Sequence, residues 1–278
     1  MLSSIPPVPE TIDGGRHSAL VPLRFEDVTQ DGRAILTGIP HALGSSAWKG
    51  WGTTDDSVRC HTLAMVPILG RLILEAYPGP ISVFDPMQTV GTWHRAAVRN
   101  ARGEVEKIVL VMWCDLSAPK GNTYLPTAAD APTVSVGRVY AEHVYTRLFA
   151  AANERRVLDV PGAMPQGAWN WRTYTDVGAP AGEILSSHPI TFGIGHTDSN
   201  QHVNSLVYPR LFEDAVLKTL PGWGLARRCE AMFRKPFFAG DVCEIRIWRT
   251  DDGVGGAFVD AQGGERCRIA LSDRQSPF

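Results

Sequence analysis

The chain has 278 residues, 44% of them hydrophobic and 20% charged, with a formal net charge of −2. That length holds one large domain or two of ordinary size. The charge lacks the basic excess of a nucleic-acid-binding protein, and no apolar run approaches the ~20 residues that span a bilayer. The opening MLSSIPPVPETIDGG has neither a basic start nor an apolar core, so it does not read as a secretory signal. Five cysteines (60, 114, 229, 243, 267) are scattered without a CxxC pair. They predict reduced thiols in a cytoplasmic protein and no zinc site.

Residues 1–18 read as a loose arm bearing Pro and Gly. A hairpin is expected next, from Leu20–Phe25 through the Asp31-Gly32 turn to Arg33–Thr37. Residues 40–56 are rich in Gly, Ser and Trp and read as loop. A helix is expected within 57–77, with Leu63, Val66, Leu69, Ile73 and Tyr77 on one stripe and Pro78-Gly79-Pro80 ending it. Strands follow near 81–88, 90–99 and 105–116.

Residues 117–182 form a connection far longer than the usual four to six residues. Within it, 138–156 places Val139, Val144, Leu148 and Ala152 at helical spacing, and the remainder reads as a strap across a sheet, with Trp169 and Trp171 as its anchors, or else as a flap over a site. From Ile184 the order begins again: strand, polar loop, helix, then strands near 228–235, 241–250, 256–261 and 265–272. The segments 98–110 and 259–271 also align without a gap, sharing Gly103 with Gly264 and Glu104 with Glu265. This repeated order predicts two tandem copies of a sheet wrapped around one helix.

Chemistry concentrates in 188–220. An alternating run (Ile190, Phe192, Ile194) leads into Asp198, Asn200, His202 and Asn204, every second residue polar. A helix is expected over 206–220, with Pro209 in its first turn and Pro221-Gly222 as its stop. Such a loop has two readings. Asp, Asn, Ser and His are what any turn before a helix uses to hold its own backbone. They are also an acid, an amide and an imidazole delivered to a helix N-terminus, where donors stabilise developing negative charge.

The heptad Asp198-Ser199-Asn200-Gln201-His202-Val203-Asn204 with Tyr208 resembles the signature of hotdog-fold acyl thioesterases, most of all the acyl-carrier-protein thioesterases. The run Tyr208-Pro209-Arg210-Leu211-Phe212-Glu213-Asp214 is similar to the helix of 4-hydroxybenzoyl-CoA-thioesterase-like proteins, and Phe233 through Gly240-Asp241 to their next strand and turn. The resemblance covers 188–248, about a fifth of the chain. It implies an α+β, tandem (double) hotdog, each half an antiparallel sheet wrapped around a central helix. The expected units are 18–118 and 183–274, joined by 119–182. It also implies one site between the units, a substrate carried as a thioester of CoA or acyl carrier protein, and a homodimer as a further expectation. No cofactor, metal, nucleic acid or membrane partner is expected.

With that resemblance, Asp198 is expected to serve as base or nucleophile, Asn200 to orient the carboxylate or the water, and His202 to donate to substrate or relay a proton. Asn204, Glu213 and Asp214 are additional candidates, Asn204 more as a helix cap. One departure bears on mechanism. Where the acyl-carrier-protein thioesterases carry a Glu-Cys pair, this chain has Pro236 and Phe237, and Ser205 replaces a second Asn. The base must come from elsewhere, or the chain binds acyl groups without hydrolysing them. A hotdog (de)hydratase is the remaining reading, although its acid and histidine are usually spaced one residue wider.

Overall fold

The computed structural model describes residues 4–10, 12, 14–161, 177–178, 180 and 182–273. Its centre is a ten-stranded sheet whose described pairings are all antiparallel. The strands are β1 (His17–Val21), β2 (Met65–Ala76), β3 (Met87–Arg99), β4 (Val105–Pro119), β5 (Thr133–Arg147), β6 (Ile184–Thr191), β7 (Arg228–Phe233), β8 (Val242–Thr250), β9 (Gly253–Asp260) and β10 (Glu265–Ser272). They lie side by side as β1-β3-β4-β5-β2-β7-β10-β9-β8-β6. Counted outward from the β2–β7 junction, the first five strands and the last five follow the same order.

Two helical elements cover the inner face. One is an unbroken run over 41–52, α-helical at both ends and π-helical in the middle, followed by the short helix α1 (Asp55–Thr62). The other is α2 (Val207–Thr219), which buries Tyr208, Phe212, Ala215 and Val216. Among the described residues no helix is long and apolar enough to cross a membrane.

Several expectations for the first half are corrected. The segment 138–156, read as a helix, is mostly strand: β5 runs to Arg147 and pairs with β2 on one side and β4 on the other. Its Val139, Ala141 and Tyr145 enter the main core, while Tyr140 enters a second cluster on the opposite face. With both faces buried, apolar residues fall at every spacing, including a helical one. The first set of five strands therefore closes only at 147, not at 118.

The stripe assigned to a helix over 57–77 divides into α1 and the strand β2. Pro67 is accommodated because β7 pairs only with Arg71 to Glu75, leaving that end of β2 with a single neighbour. The presumed loop 40–56 is the helical run. The strand expected over 81–88 is reduced to an isolated bridge, Ile81 to Lys120, ahead of β3. The hairpin expected over 20–37 is not formed as read: Leu20 and Val21 belong to β1 and pair with β3, and only a single bridge, Val28 to Ala34, closes the turn. The arm is docked: Ile5 packs on the second cluster and Trp113 Nε1 donates to Pro6 O at 2.8 Å. Trp169 and Trp171 lie outside the described residues.

The strands and helix of 184–272 follow the sequence reading closely. The aligned segments 98–110 and 259–271 do not correspond in topology. The first spans the β3–β4 turn and the second the β9–β10 turn, one strand further on.

The β2–β7 junction carries a buried ionic cluster. Arg71 donates to Glu230 Oε1 through Nε (2.9 Å) and NH2 (2.5 Å), and to Glu142 Oε1 through NH1 (3.0 Å). Tyr140 OH donates to the same Glu142 oxygen at 2.6 Å. Arg228 lies 3.4 Å from Glu75, which also accepts from Tyr77 OH.

Candidate functional site

The loop between β6 and α2 is a tight hairpin. A 3-10 turn (Ile194–His196) leads into a bridge between Thr197 and Val203. Asp198 N donates to His202 O (3.1 Å), Gln201 N to Asp198 O (2.9 Å), and Asn204 N to His196 O (2.8 Å). Side chains alternate across such a pair. Val203 therefore turns inward, 5% exposed, while His196, Asp198, His202 and Asn204 share the opposite face. The hairpin is fixed from below by Val203 N donating to Phe237 O at 2.8 Å.

Both readings of the polar loop describe something present. Asp198 Oδ1 accepts from Asn200 N at 2.9 Å, closing the turn, and its Oδ2 accepts from Asn204 Nδ2 at 3.3 Å. Asn204 Oδ1 accepts from Leu206 N at 2.8 Å, which starts α2. These bonds also hold the Asp198 carboxylate in one orientation, partly exposed, beside the partly exposed His202. The His202 ring stands edge-on to Phe238, centroids 5.1 Å apart. Asn200 sits at the exposed tip.

The amides of Val203, Asn204 and Leu206 are committed to Phe237 O, His196 O and Asn204 Oδ1. Among the described hydrogen bonds those of His202 and Ser205 have no partner.

The floor under the hairpin is aromatic. Tyr208 lies between Phe192, Phe233, Phe237 and Phe258, with centroids 6.1, 5.4, 6.4 and 5.0 Å away. Burial pushes its phenol pKa up. Phe237 is 1% exposed, and Pro236 offers only its carbonyl, taken by Arg266. The positions that depart from the thioesterase pattern thus hold core packing and a backbone contact.

Glu213 and Asp214 stand apart from this group. Glu213 Oε1 accepts from Ala226 N at 2.9 Å, beyond the opposite end of β7 from Phe237, and burial pushes its carboxyl pKa up. Asp214 is exposed. The sequence reading missed His196, whose Nδ1 accepts from Gly193 N at 3.1 Å. Extending the even-numbered alternation one step back from Asp198 finds it. Among the described residues no group of three or more His, Cys, Asp or Glu is placed to hold a metal ion.

The same hairpin occurs a second time, before the 41–52 helical run. Thr29 N donates to Arg33 O (2.8 Å), Gly32 N to Thr29 O (2.9 Å), and Ile35 N to Asp27 O (2.9 Å), around the bridge from Val28 to Ala34. Each bond has its counterpart in the Asp198 hairpin. Thr29, Asp31 and Arg33 therefore occupy the places of Asp198, Asn200 and His202. Pro40 and Pro209 also correspond, each at its helix start.

No family model and no curated protein matches the sequence. Solved structures do. An acyl-ACP thioesterase from Bacteroides thetaiotaomicron is 15% identical with TM-score 0.56, over 93% of this chain and 96% of that one. A putative oleoyl thioesterase from Lactobacillus plantarum is 13% identical with TM-score 0.58, over 93% and 96%. A MaoC-like dehydratase from Phytophthora capsici is 10% identical with TM-score 0.52, over 95% and 98%. At these identities the likeness is one of fold, which is hotdog-like.

Proposed function

We propose that this chain is a tandem double hotdog that hydrolyses the thioester of an acyl-CoA or acyl carrier protein in the cytoplasm. The first unit would close with β5 and the second begin near 183. The mirrored strand order and the repeated hairpin support that division. The observation that carries the activity is one hairpin face with an oriented carboxylate, a neighbouring imidazole and two uncommitted amides, over a dry aromatic floor.

In this reading Asp198 takes a proton from water as its oxygen attacks the thioester carbon. The amides of His202 and Ser205 hold the oxyanion. Collapse breaks the C–S bond, and His202 supplies the proton that leaves with the thiol. Tyr208 and its phenylalanines keep bulk water from the acyl side.

The test is thiol release from a panel of acyl-CoA and acyl-carrier thioesters. Asp198→Asn is expected to lose about a hundred- to ten-thousandfold in turnover while retaining binding. Full turnover in Asp198→Asn would overturn the assignment. Addition of water to a 2-enoyl thioester without thiol release would favour a (de)hydratase, consistent with the likeness to the dehydratase fold. Binding without either reaction would favour an acyl-binding protein.

A further inference from the structure

The first hairpin faces a cleft of its own. Its walls include Thr29, Arg33 and Leu36 from the hairpin, Glu213 from α2, and Leu225 and Arg227 from the turn before β7. The Asp198 hairpin is the same backbone at the corresponding place before the second helix. Where the second hairpin has Asp198 and His202 the first has Thr29 and Arg33, and Arg227 adds a second guanidinium group to the wall. We propose that it binds an oxyanion, a carboxylate or phosphate group, held between Arg33 and Arg227 without being turned over.

The charges favour that ligand. Arg33 has one described ion pair, through Nε to Asp31 Oδ2 at 2.9 Å, and the Asp31 side chain is 62% exposed. A pair so open to water contributes little, so the remaining fork of Arg33 is available to a ligand. Arg227 is partly buried, and no described ion pair involves it. Its backbone is held on both sides, Arg227 N donating to Ser272 O at 2.9 Å and Arg227 O accepting from Ala76 N at 2.8 Å. Its main chain is therefore fixed at the cleft wall. Planar forks of this kind match the paired oxygens of carboxylate and phosphate.

Glu213 is the one acid in the wall. One of its oxygens already accepts from Ala226 N, so that part of its charge is taken up within the chain. Leu225, 44% exposed, adds apolar surface beside the charged groups, whereas Leu36 is 3% exposed and belongs to the core.

The inference does not depend on thioester hydrolysis, and its readout is binding rather than turnover. Octanoate would be titrated calorimetrically into the full chain, with octanamide as the neutral isostere and inorganic phosphate as competitor. Arg227→Gln is expected to weaken one class of octanoate site by about tenfold or more. Arg227→Lys should restore part of that loss, and His202→Ala should leave this site intact. Octanamide should not bind there. Displacement of octanoate by phosphate would show that the oxyanion alone is recognised. Persistence of octanoate against phosphate would show that the carboxylate is read together with its chain. Equal binding of octanamide and octanoate would overturn the proposal. So would unchanged octanoate binding in both Arg227→Gln and Arg33→Gln, with melting temperatures confirming that both variants are folded.

Discussion

Gly32 and Gln201 hold the same turn position in the two hairpins, and both have positive φ, 80° and 63°. Only glycine adopts that region without steric cost. Gln201→Gly should therefore stabilise the protein by about 0.5–1 kcal/mol, visible as a raised melting temperature. Gly32→Ala should act in the opposite sense and more strongly. A Cβ there would also come within 2.6 Å of the Pro80 side chain, and a loss of about 1–3 kcal/mol is expected.

Asn204 joins the two interpretations of the polar loop in one side chain. Asn204→Ala removes the bond to Asp198 and the one that starts α2, at a cost of about 1–2 kcal/mol in denaturant unfolding. Asn204→Asp separates them. It keeps an acceptor for Leu206 N but sets a like charge beside Asp198, so the acid limb of any pH–rate profile should move upward. An unmoved limb would show that the Asp198 carboxylate is not the titrating base.

His143 is 3% exposed, edge-on to Trp48, and burial holds its pKa down at about 4. Between that value and the ordinary 6.5 the unfolded chain binds more protons than the native one. Stability should then rise with pH across this window, be complete above about 6.5, and fall as acid is added. The amplitude is about 3 kcal/mol. His143→Gln keeps a donor for the Leu110 carbonyl and removes the titration, so the difference in melting temperature between pH 7 and pH 4.5 should shrink.

Arg71 neutralises buried carboxylates from two different strands, Glu142 and Glu230. Arg71→Met alone should cost about 3–5 kcal/mol, because both acids are left without their cation. Combining it with Glu142→Leu and Glu230→Leu should recover most of that loss. Chemical denaturation of the single and triple variants measures both.

The second half of the fold was legible because its signals agree. Pro209 and Pro221-Gly222 bracket α2, and β6 alternates visibly, since one of its faces meets solvent. The first half hid its elements for physical reasons. Its helical run, HALGSSAWKGWG, is poor in strong helix formers because it must approach the sheet closely. A side chain on Gly50 would collide with His17, and one on Gly91 beneath it with Ser46. Burial of β4 and β5 on both faces erased the alternation that marks a strand. At the site, the even-numbered polar residues marked the hairpin face, and its chemistry was inferred from the resemblance. The copy at Thr29, Asp31 and Arg33 shares backbone hydrogen bonds and hardly any residue types, so no comparison of letters would find it.

The β2–β7 junction lies within a single polypeptide, which has a consequence for how the hairpins can vary. In a pair of identical chains every substitution appears twice, so neither copy of a loop can change without the other. Here each hairpin is specified by its own codons. Arg33 can be replaced while His202 stays as it is, and one hairpin can keep its acid and imidazole while the other changes. Tethering also makes the junction a unimolecular event, so pairing of β2 with β7 is independent of protein concentration.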